Sequence, residues 1–547
     1  MNLGRPFNFS SQVLSYLKAL AFWKHWLGFL LKGWRFIPLI FLGLMLVWPV
    51  THLLLQAQSA NWLGLINEMM RDDYLRWRVL WTFIQALLTC VLCFVLGLPA
   101  AWLFARREFK GKQLFLQLSM LPFVVPTLVA AMGLLLMWGP HSVLAQTLLL
   151  PFFSPEQQGA VLLLIGNVFF NLSVVLRAII FALEQCSMSR SNAARSLGAT
   201  AWRCFWRIEW PAIFPAVMQS LCLVFLYSFS GFGLALILGG QQWSTLEVEI
   251  YTLVAHELAL APASILALFS LFLLSSLLFL LLYFQGLFLK PQKADAISPI
   301  ALQNHKEKIA ALVVMGLISF LCLIPIALLV FELFNHLTEF WQLLLESEVQ
   351  QAIFNTLLFS VAGLLLATFL GLCHGMAAFT WPILRTFVYL PFIASSITIG
   401  FGLLLSYPGL SNQIVLLVAA YALFAYPFIA QALLLELQQL PKHYLQAARV
   451  LGASPWRCFT RVILPLLSPA IRRGMAFAMA TCIGEFAVSL FLTRPEWTTL
   501  STLIYQYLGR PGSGNKQAAL LLAAFLLLLT LLLFRLIEGK AKKSRAI

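Results

Sequence analysis

The stretch Ala193-Ala194-Arg195-Ser196-Leu197-Gly198-Ala199-Thr200-Ala201-Trp202-Arg203-Cys204-Phe205 returns 254 residues later as Ala447-Ala448-Arg449-Val450-Leu451-Gly452-Ala453-Ser454-Pro455-Trp456-Arg457-Cys458-Phe459. The same spacing relates Pro211 to Pro465 and Pro215 to Pro469. A chain that repeats itself at a fixed interval is built from two like halves, an arrangement typical of membrane transporters. Whatever fold is proposed must therefore place this segment twice, in equivalent surroundings.

Each copy reads as helix, break, helix. The Ala/Arg/Leu run favours a helix, and Gly198 or Gly452 supplies the left-handed residue that ends it. Thr200 or Ser454 then caps a second helix, with Pro455 at a first helical position where its missing N–H costs nothing. The product is a small charged elbow whose alanines permit close approach by another protein.

Composition decides where such elbows can sit. Of 547 residues, 61% are hydrophobic and 10% charged, a balance that a soluble fold could not carry on its surface. The chain is expected to be an all-α polytopic membrane protein of about twelve transmembrane helices, six per half. Apolar runs of spanning length lie near 36–55, 79–104, 114–138, 160–183, 212–238 and 265–287, then 309–334, 353–379, 386–405, 413–435, 466–492 and 518–536. The net charge of +16 does not imply nucleic acid, because the basic residues fall in short loops between these runs. Lys24, Lys32, Arg35, Arg106, Arg107, Lys110, Lys112, the elbow arginines, Lys290, Lys293, Lys306, Lys308, Lys540, Lys542, Lys543 and Arg545 all fall on one side, which the positive-inside rule makes cytoplasmic. Asp72, Asp73, Glu247, Glu249, Glu257, Glu339, Glu346 and Glu348 are assigned to the opposite loops. Both termini and both elbows are then cytoplasmic.

The expected division is an N-terminal interfacial segment at 1–35, a first six-helix half at 36–289, a solvated linker at 290–308, a second half at 309–538 and a basic tail at 539–547. Residues 1–33 mix aromatics with lysine and read as a helix lying in the membrane interface, without the features of a cleavable signal peptide. The nine cysteines lack metal or disulfide spacing and read as packing residues.

Charges and amides inside apolar runs are the next informative feature, since they are costly there and tend to face a cavity. Glu485, in Gly484-Glu485-Phe486, either lines a path or fixes helix packing through a hydrogen bond. Its partner by the repeat is Gly231, beside Phe232, so the two walls of any pathway differ. Asn171 is a further path candidate, while Arg177 lies near enough to a helix end to snorkel. A second repeated motif, Thr245-Leu246 with Ile250-Tyr251, returns as Thr499-Leu500 with Ile504-Tyr505. These tyrosines suit an interfacial anchor.

Catalytic signatures are missing. No Gly-x-x-x-x-Gly-Lys-Ser/Thr loop occurs, so ATP is not cradled in that way, and neither a His-Glu-x-x-His motif nor a nucleophile–base pair stands out among the scattered histidines.

Both elbows resemble the signature loop of binding-protein-dependent ABC importer permeases, read here as Asn192-Ala193-Ala194, Gly198 and Ile208-Glu209-Trp210-Pro211, then Gln446-Ala447-Ala448, Gly452 and Ile463-Leu464-Pro465. The leading Glu of that loop is replaced by Asn192 and Gln446. The resemblance implies a type I ABC importer-like fold in which Ala193, Ala194, Gly198, Ala447, Ala448 and Gly452 couple to a homodimeric cytoplasmic ATPase. ATP and Mg would sit on that partner, leaving this chain with no cofactor and no enzymatic activity of its own. A periplasmic substrate-binding protein and membrane lipid are the other implied partners, in a bacterial inner membrane. Thr245, Tyr251, Thr499 and Tyr505 resemble the external gate of those permeases, and Asn171, Phe232, Glu485 and Phe486 are candidates for the translocation path. Within the ferric-iron, thiamine and phosphonate permease group, the stretches Phe232–Gly240 and Thr245–Tyr251 look most like the thiamine or thiamine pyrophosphate member. Ferric ion, pyridoxal phosphate and phosphonate remain alternatives. An ion-coupled secondary transporter is the alternative of another class, disfavoured because Glu485 stands nearly alone.

Overall fold

A computed structural model describes residues 35–539 apart from 59–61, 141, 150–151, 187, 289–299, 302–303, 393, 411–412, 441 and 493. The expected interfacial helix at 1–33, most of the linker and the lysines of the tail lie outside the described residues. The first half comprises α1 (Ile37–Gln58), α2 (Asp73–Arg106), a bent pair α3 (Lys112–Val124) and α4 (Thr127–Trp138), α5 (Gln158–Gln185), the elbow helix α6 (Met188–Ser196), α7 (Trp202–Phe229), α8 (Gly233–Leu238), α9 (Leu246–Ala255) and α10 (Leu260–Phe288). The second repeats this plan with a bent pair α11 (His305–Cys322) and α12 (Ile324–Asn335), then α13 (Ser347–Thr380), α14 (Ser396–Ser406), α15 (Ile414–Gln439), the elbow helix α16 (Lys442–Val450), α17 (Thr460–Gly484), α18 (Ala487–Leu492), α19 (Leu500–Gly509) and α20 (Ser513–Glu538).

Apart from one pair of two-residue strands, the described residues form an all-α, multi-pass membrane protein. Among the described residues nine helices are long and apolar enough to cross a membrane, or eleven when each bent pair counts as one span. Besides run 309–334, which bends by 53° between α11 and α12, four of the twelve expected runs are interrupted. Run 114–138 bends by 108° between α3 and α4, where Pro126 removes a donor and Val125 is extended. Run 386–405 breaks at the matching place, into Leu384–Phe387, a turn at Leu390–Phe392 and the short α14. Runs 212–238 and 466–492 end early at Phe229 and Gly484 and resume as α8 and α18. All four breaks lie around one central space.

The first helices of the halves are exchanged. In α1, Leu44 offers its carbonyl to the Tyr407 hydroxyl at 2.9 Å, just beyond α14, and Phe41 meets Tyr426 of α15 edge-on. A Cβ on Gly402 would lie 2.9 Å from Pro49 of α1, so only glycine permits that crossing. Reciprocally α12 leans on α4, where a Cβ on Gly133 would approach the Pro325 carbonyl to 2.7 Å. Each half is thus clasped by the other's leading helix through contacts of backbone on backbone, the packing mode membranes favour.

Between the halves, Ile300–Ala301 pairs in parallel with Arg107–Glu108 at the end of α2, and Arg107 bonds Glu307 at 2.5 Å. The described part of the expected solvated linker is therefore stitched to the first half. All nine cysteines are free, eight of them buried, as packing residues should be.

Candidate coupling elbows, central cavity and outer gate

In each elbow helix the sequence ends its own helix. Gly198 (φ +86°) and Gly452 (φ +77°) are left-handed. Around them the Ala199 and Ala453 N–H groups donate to the Ala194 and Ala448 carbonyls at 3.0 Å, and the glycine N–H groups donate to Arg195 and Arg449 at 2.9 Å. This paired closure satisfies the last carbonyls of both helices. An added Cβ at either glycine would meet nothing within 4 Å, so the backbone angle, not space, requires glycine. Thr200 Oγ1 then accepts from the Arg203 N–H at 3.3 Å, and Ser454 Oγ from Arg457 at 3.4 Å. Ala193 and Ala447 are exposed while Ala194 and Ala448 are half-buried, and Leu197 and Leu451 stand 89% and 86% exposed beside the glycines. Two uncovered apolar knobs of the same shape result.

Beneath the first knob lies a pairing that the sequence did not announce. Arg106, the last residue of α2, bonds Glu209 at 2.7 Å with both side chains buried, and Ser191 donates to the same carboxylate at 3.3 Å. Thr380 ends α13 at the equivalent place, and the residue 254 beyond Glu209 is Ile463. The sequence groups Arg106 with loop bases, because a partner 103 residues away leaves no local pattern.

From each elbow a continuous helix, α7 or α17, runs to the centre. There a cavity of about 330 Å³ opens between the halves, and it is lined by all four path candidates, Asn171, Phe232, Glu485 and Phe486. Glu485 faces the cavity, and its Oε1 accepts from the Val488 N–H at 3.1 Å, a local cap on α18 rather than a bond between neighbouring helices. The matching helix α8 has no side-chain cap. Asn171 is committed to the opposite wall, donating to the Asn167 carbonyl at 2.9 Å and Ser228 Oγ at 3.3 Å, while Asn167 donates to Gln85 at 2.7 Å. Arg177 does not simply snorkel; it donates to the Leu116 carbonyl at 2.6 Å.

Phe232 and Phe486 stack across the halves with ring centres 5.9 Å apart and planes 22° from parallel. Tyr251 meets Phe232 edge-on at 5.5 Å, and Tyr505 meets Phe486 the same way at 5.5 Å. Four aromatics, all related by the 254-residue spacing, thus form one symmetric plug. It lies at the end far from the elbows, since α9 rests on the start of α2 whereas the elbow rests on its finish.

Thr245 and Thr499 begin α9 and α19. Thr499 forms a reciprocal cap with Thr502, but the Thr245 hydroxyl is buried without a partner. In both halves the next N–H is held from outside: Leu246 donates to Thr82 Oγ1 and Leu500 to Thr356 Oγ1, each at 2.8 Å. These equivalent threonines were missed because they stand 274 residues apart, loops of unequal length having displaced the repeat ahead of the elbows.

Glu247 and Glu249 are not loop acids. Both are buried in the first turn of α9, where the helix N-terminus favours negative charge. Glu247 accepts from Ser270 at 2.7 Å and from Ser395 of the second half. Glu249 lies 3.7 Å from Arg78 and accepts from the Tyr74 hydroxyl at 3.0 Å; Arg78 also donates to the Gln241 and Gln242 carbonyls. Among the described residues no His/Cys/Asp/Glu group could hold a metal ion.

The thiamine transport system permease protein ThiP of Haemophilus influenzae is 28% identical over 487 residues, covering 85% of this chain and 89% of that one. Its namesake in Escherichia coli is 28% identical over 509 residues, 88% and 91% of the two chains, and that of Brucella abortus 28% over 492, 87% and 89%. The family described as binding-protein-dependent transport system inner membrane component matches twice, at residues 94–288 and 297–543. The chain belongs to that family: it is a transmembrane permease of an ABC importer.

Proposed function

We propose that this chain imports thiamine, with its elbows seated on a homodimeric ATPase on the cytoplasmic side and α9 and α19 receiving a substrate-binding protein outside. The observation that carries the coupling is the continuity of α7 and α17. Each joins an exposed knob at one end to a member of the Phe232–Phe486 stack at the other, over about 42 Å for the 28 residues of α7. Closure of the ATPase around bound ATP and Mg would draw Ala193–Gly198 and Ala447–Gly452 together, and stiff helices would carry that displacement to the plug. Coupling of this kind is reciprocal, so delivery of substrate must in turn stimulate hydrolysis. The three relatives all bear the thiamine name, which supports that cargo over ferric ion or a phosphonate. The concentration of basic residues in loops on one side supports a cytoplasmic location for both termini.

The test is uptake of labelled thiamine by vesicles holding the chain and its ATPase, supplied with loaded binding protein. Uptake is expected only with internal ATP; uptake driven by an ion gradient without ATP would overturn the reading. Gly198→Arg with Gly452→Arg should abolish substrate-stimulated hydrolysis, and unchanged hydrolysis would remove the docking role.

A further inference from the structure

One aromatic ladder belongs to the first half alone. Along α7, Trp202, Trp206, Trp210 and Phe214 recur at every fourth residue, so their rings share one helical face. Successive ring centres lie 5.5, 5.4 and 5.8 Å apart, and Phe284 of α10 continues the row 6.4 Å from Phe214, with Tyr283 5.6 Å beyond it. Trp202, Trp206, Phe214 and Tyr283 are exposed. Arg203 and Arg207 each follow a tryptophan of the row, are exposed beside it, and have no ion-pair partner among the described residues. Glu209, two residues beyond Arg207, is already committed to Arg106. At the equivalent positions the second half keeps the arginines, as Arg457 and Arg461, but its row reads Trp456, Thr460, Leu464 and Ser468.

We propose that this face binds an anionic phospholipid of the inner leaflet, its phosphate on Arg203 and Arg207 and its acyl chains along Trp206, Trp210, Phe214 and Phe284. The proposal rests on the reading that the elbows are cytoplasmic. From Trp202 to Phe214 the row covers about 18 Å. It leads from the exposed elbow onto the apolar surface of a spanning helix, beside which Phe272 and Phe279 of α10 also stand exposed. A soluble ATPase could cover Trp202 but could not follow the row into the hydrocarbon, whereas one lipid reaches both ends. The chemistry is matched along the row: guanidinium groups take phosphate, and tryptophan suits the headgroup level because an apolar body carries a polar edge. Arginine alone attracts any anion. The second elbow, with arginines but no ladder, therefore holds a phospholipid less tightly, and only the first knob is tethered to the bilayer.

The experiment titrates the delipidated complex of the full chain and its ATPase with phosphatidylglycerol or phosphatidylcholine and counts bound lipid by native mass spectrometry. Phosphatidylglycerol is expected to bind the more tightly. Arg203→Gln and Arg207→Gln should each weaken it about fivefold, the effect of one basic residue at an anionic headgroup. Trp206→Thr, which installs the residue of the second half, should weaken both lipids while leaving the thermal stability of the complex near that of the parent. Arg457→Gln with Arg461→Gln should lower phosphatidylglycerol binding less than the first-half pair of changes does. Equal binding of the two phospholipids by the parent, or unchanged phosphatidylglycerol binding after both first-half arginines are replaced, would overturn the site. Loss of the ATPase from that double variant in either lipid would also overturn it, by assigning the face to the ATPase. None of these readouts needs turnover, so they are separable from vesicle uptake and stimulated hydrolysis, which test the transport reading. Orientation is read independently by labelling Leu197→Cys in sealed vesicles: reaction from the cytoplasmic side alone is expected, and reaction from the outer side would remove the inner-leaflet assignment.

Discussion

The two halves agree where they meet and differ where they are fastened. The elbow glycines, the threonine clamps at Thr82 and Thr356 and the Phe232–Phe486 plug have the same geometry in both. The fastenings do not. The first elbow rests on the buried Arg106–Glu209 pair, whereas the matching residues of the second half, Thr380 and Ile463, carry no charge. At the far end the first half buries Arg78 against Glu249, while the second joins Arg510 to Glu348 with both side chains more than 40% exposed. Under the proposed coupling, the parts that move together share one constraint of shape. Anchors need only hold, and each half has solved that problem with different chemistry.

The sharpest way to break the comparison is at the elbows. Removing one member of a buried ion pair leaves the other charge uncompensated, at a cost of about 3–5 kcal/mol. Arg106→Met or Glu209→Gln should therefore lower the stability of the purified complex by that order, measured by denaturant or thermal unfolding in detergent. Arg106→Met combined with Glu209→Leu should recover most of the loss, because an apolar pair of similar volume needs no partner. Ile463→Val, at the matching place in the second half, should cost no more than about 1 kcal/mol. Equal losses at the two elbows would mean that the ion pair is not what distinguishes them.

Much of this was legible in the sequence because the repeat runs without insertion from the elbow to Tyr505. One spacing located both glycines, Tyr251 and Tyr505 and, through Phe232 and Phe486, the aromatic stack between them. Ahead of the elbows the loops differ in length, so the matched threonines of α2 and α13 lost their common spacing. The sequence assigns Glu247 and Glu249 to a loop because two acids two residues apart look solvated; that serines and Arg78 from other parts of the fold satisfy them is a tertiary fact. Prolines near 126 and 391 were visible, but an apolar run carrying a proline can bend or merely kink, and only packing around the central cavity decides which.

The threonine clamps give a smaller effect with a built-in asymmetry. Thr82→Val leaves the buried Leu246 N–H without an acceptor, at about 1–3 kcal/mol. Thr356→Val does the same to Leu500, but α19 keeps its own Thr499–Thr502 cap, whereas residue 248 at the matching place in α9 is a valine. The first-half variant should therefore be the less stable of the two, and hydrogen exchange should rise at the start of α9 more than at the start of α19. The reverse order would show that the reciprocal cap contributes nothing.

The smallest effect belongs to the exposed pair. Arg510 approaches both Glu348 oxygens, at 2.7 and 3.2 Å, with its guanidinium over the Tyr507 ring, and Tyr507 donates to Glu346 at 2.8 Å. Both charges are hydrated, so Arg510→Gln should cost no more than about 1 kcal/mol. Salt separates this anchor from its counterpart: at about 1 M, where screening acts within about 3 Å, the parent and Arg510→Gln should converge in thermal stability. The loss caused by Arg78→Leu should persist there, because Arg78 and Glu249 are shielded from the solvent ions and Arg78 also holds two backbone carbonyls. If both losses vanished together with salt, the far ends of the two halves would be fastened by the same kind of interaction after all, and the contrast would survive only at the elbows.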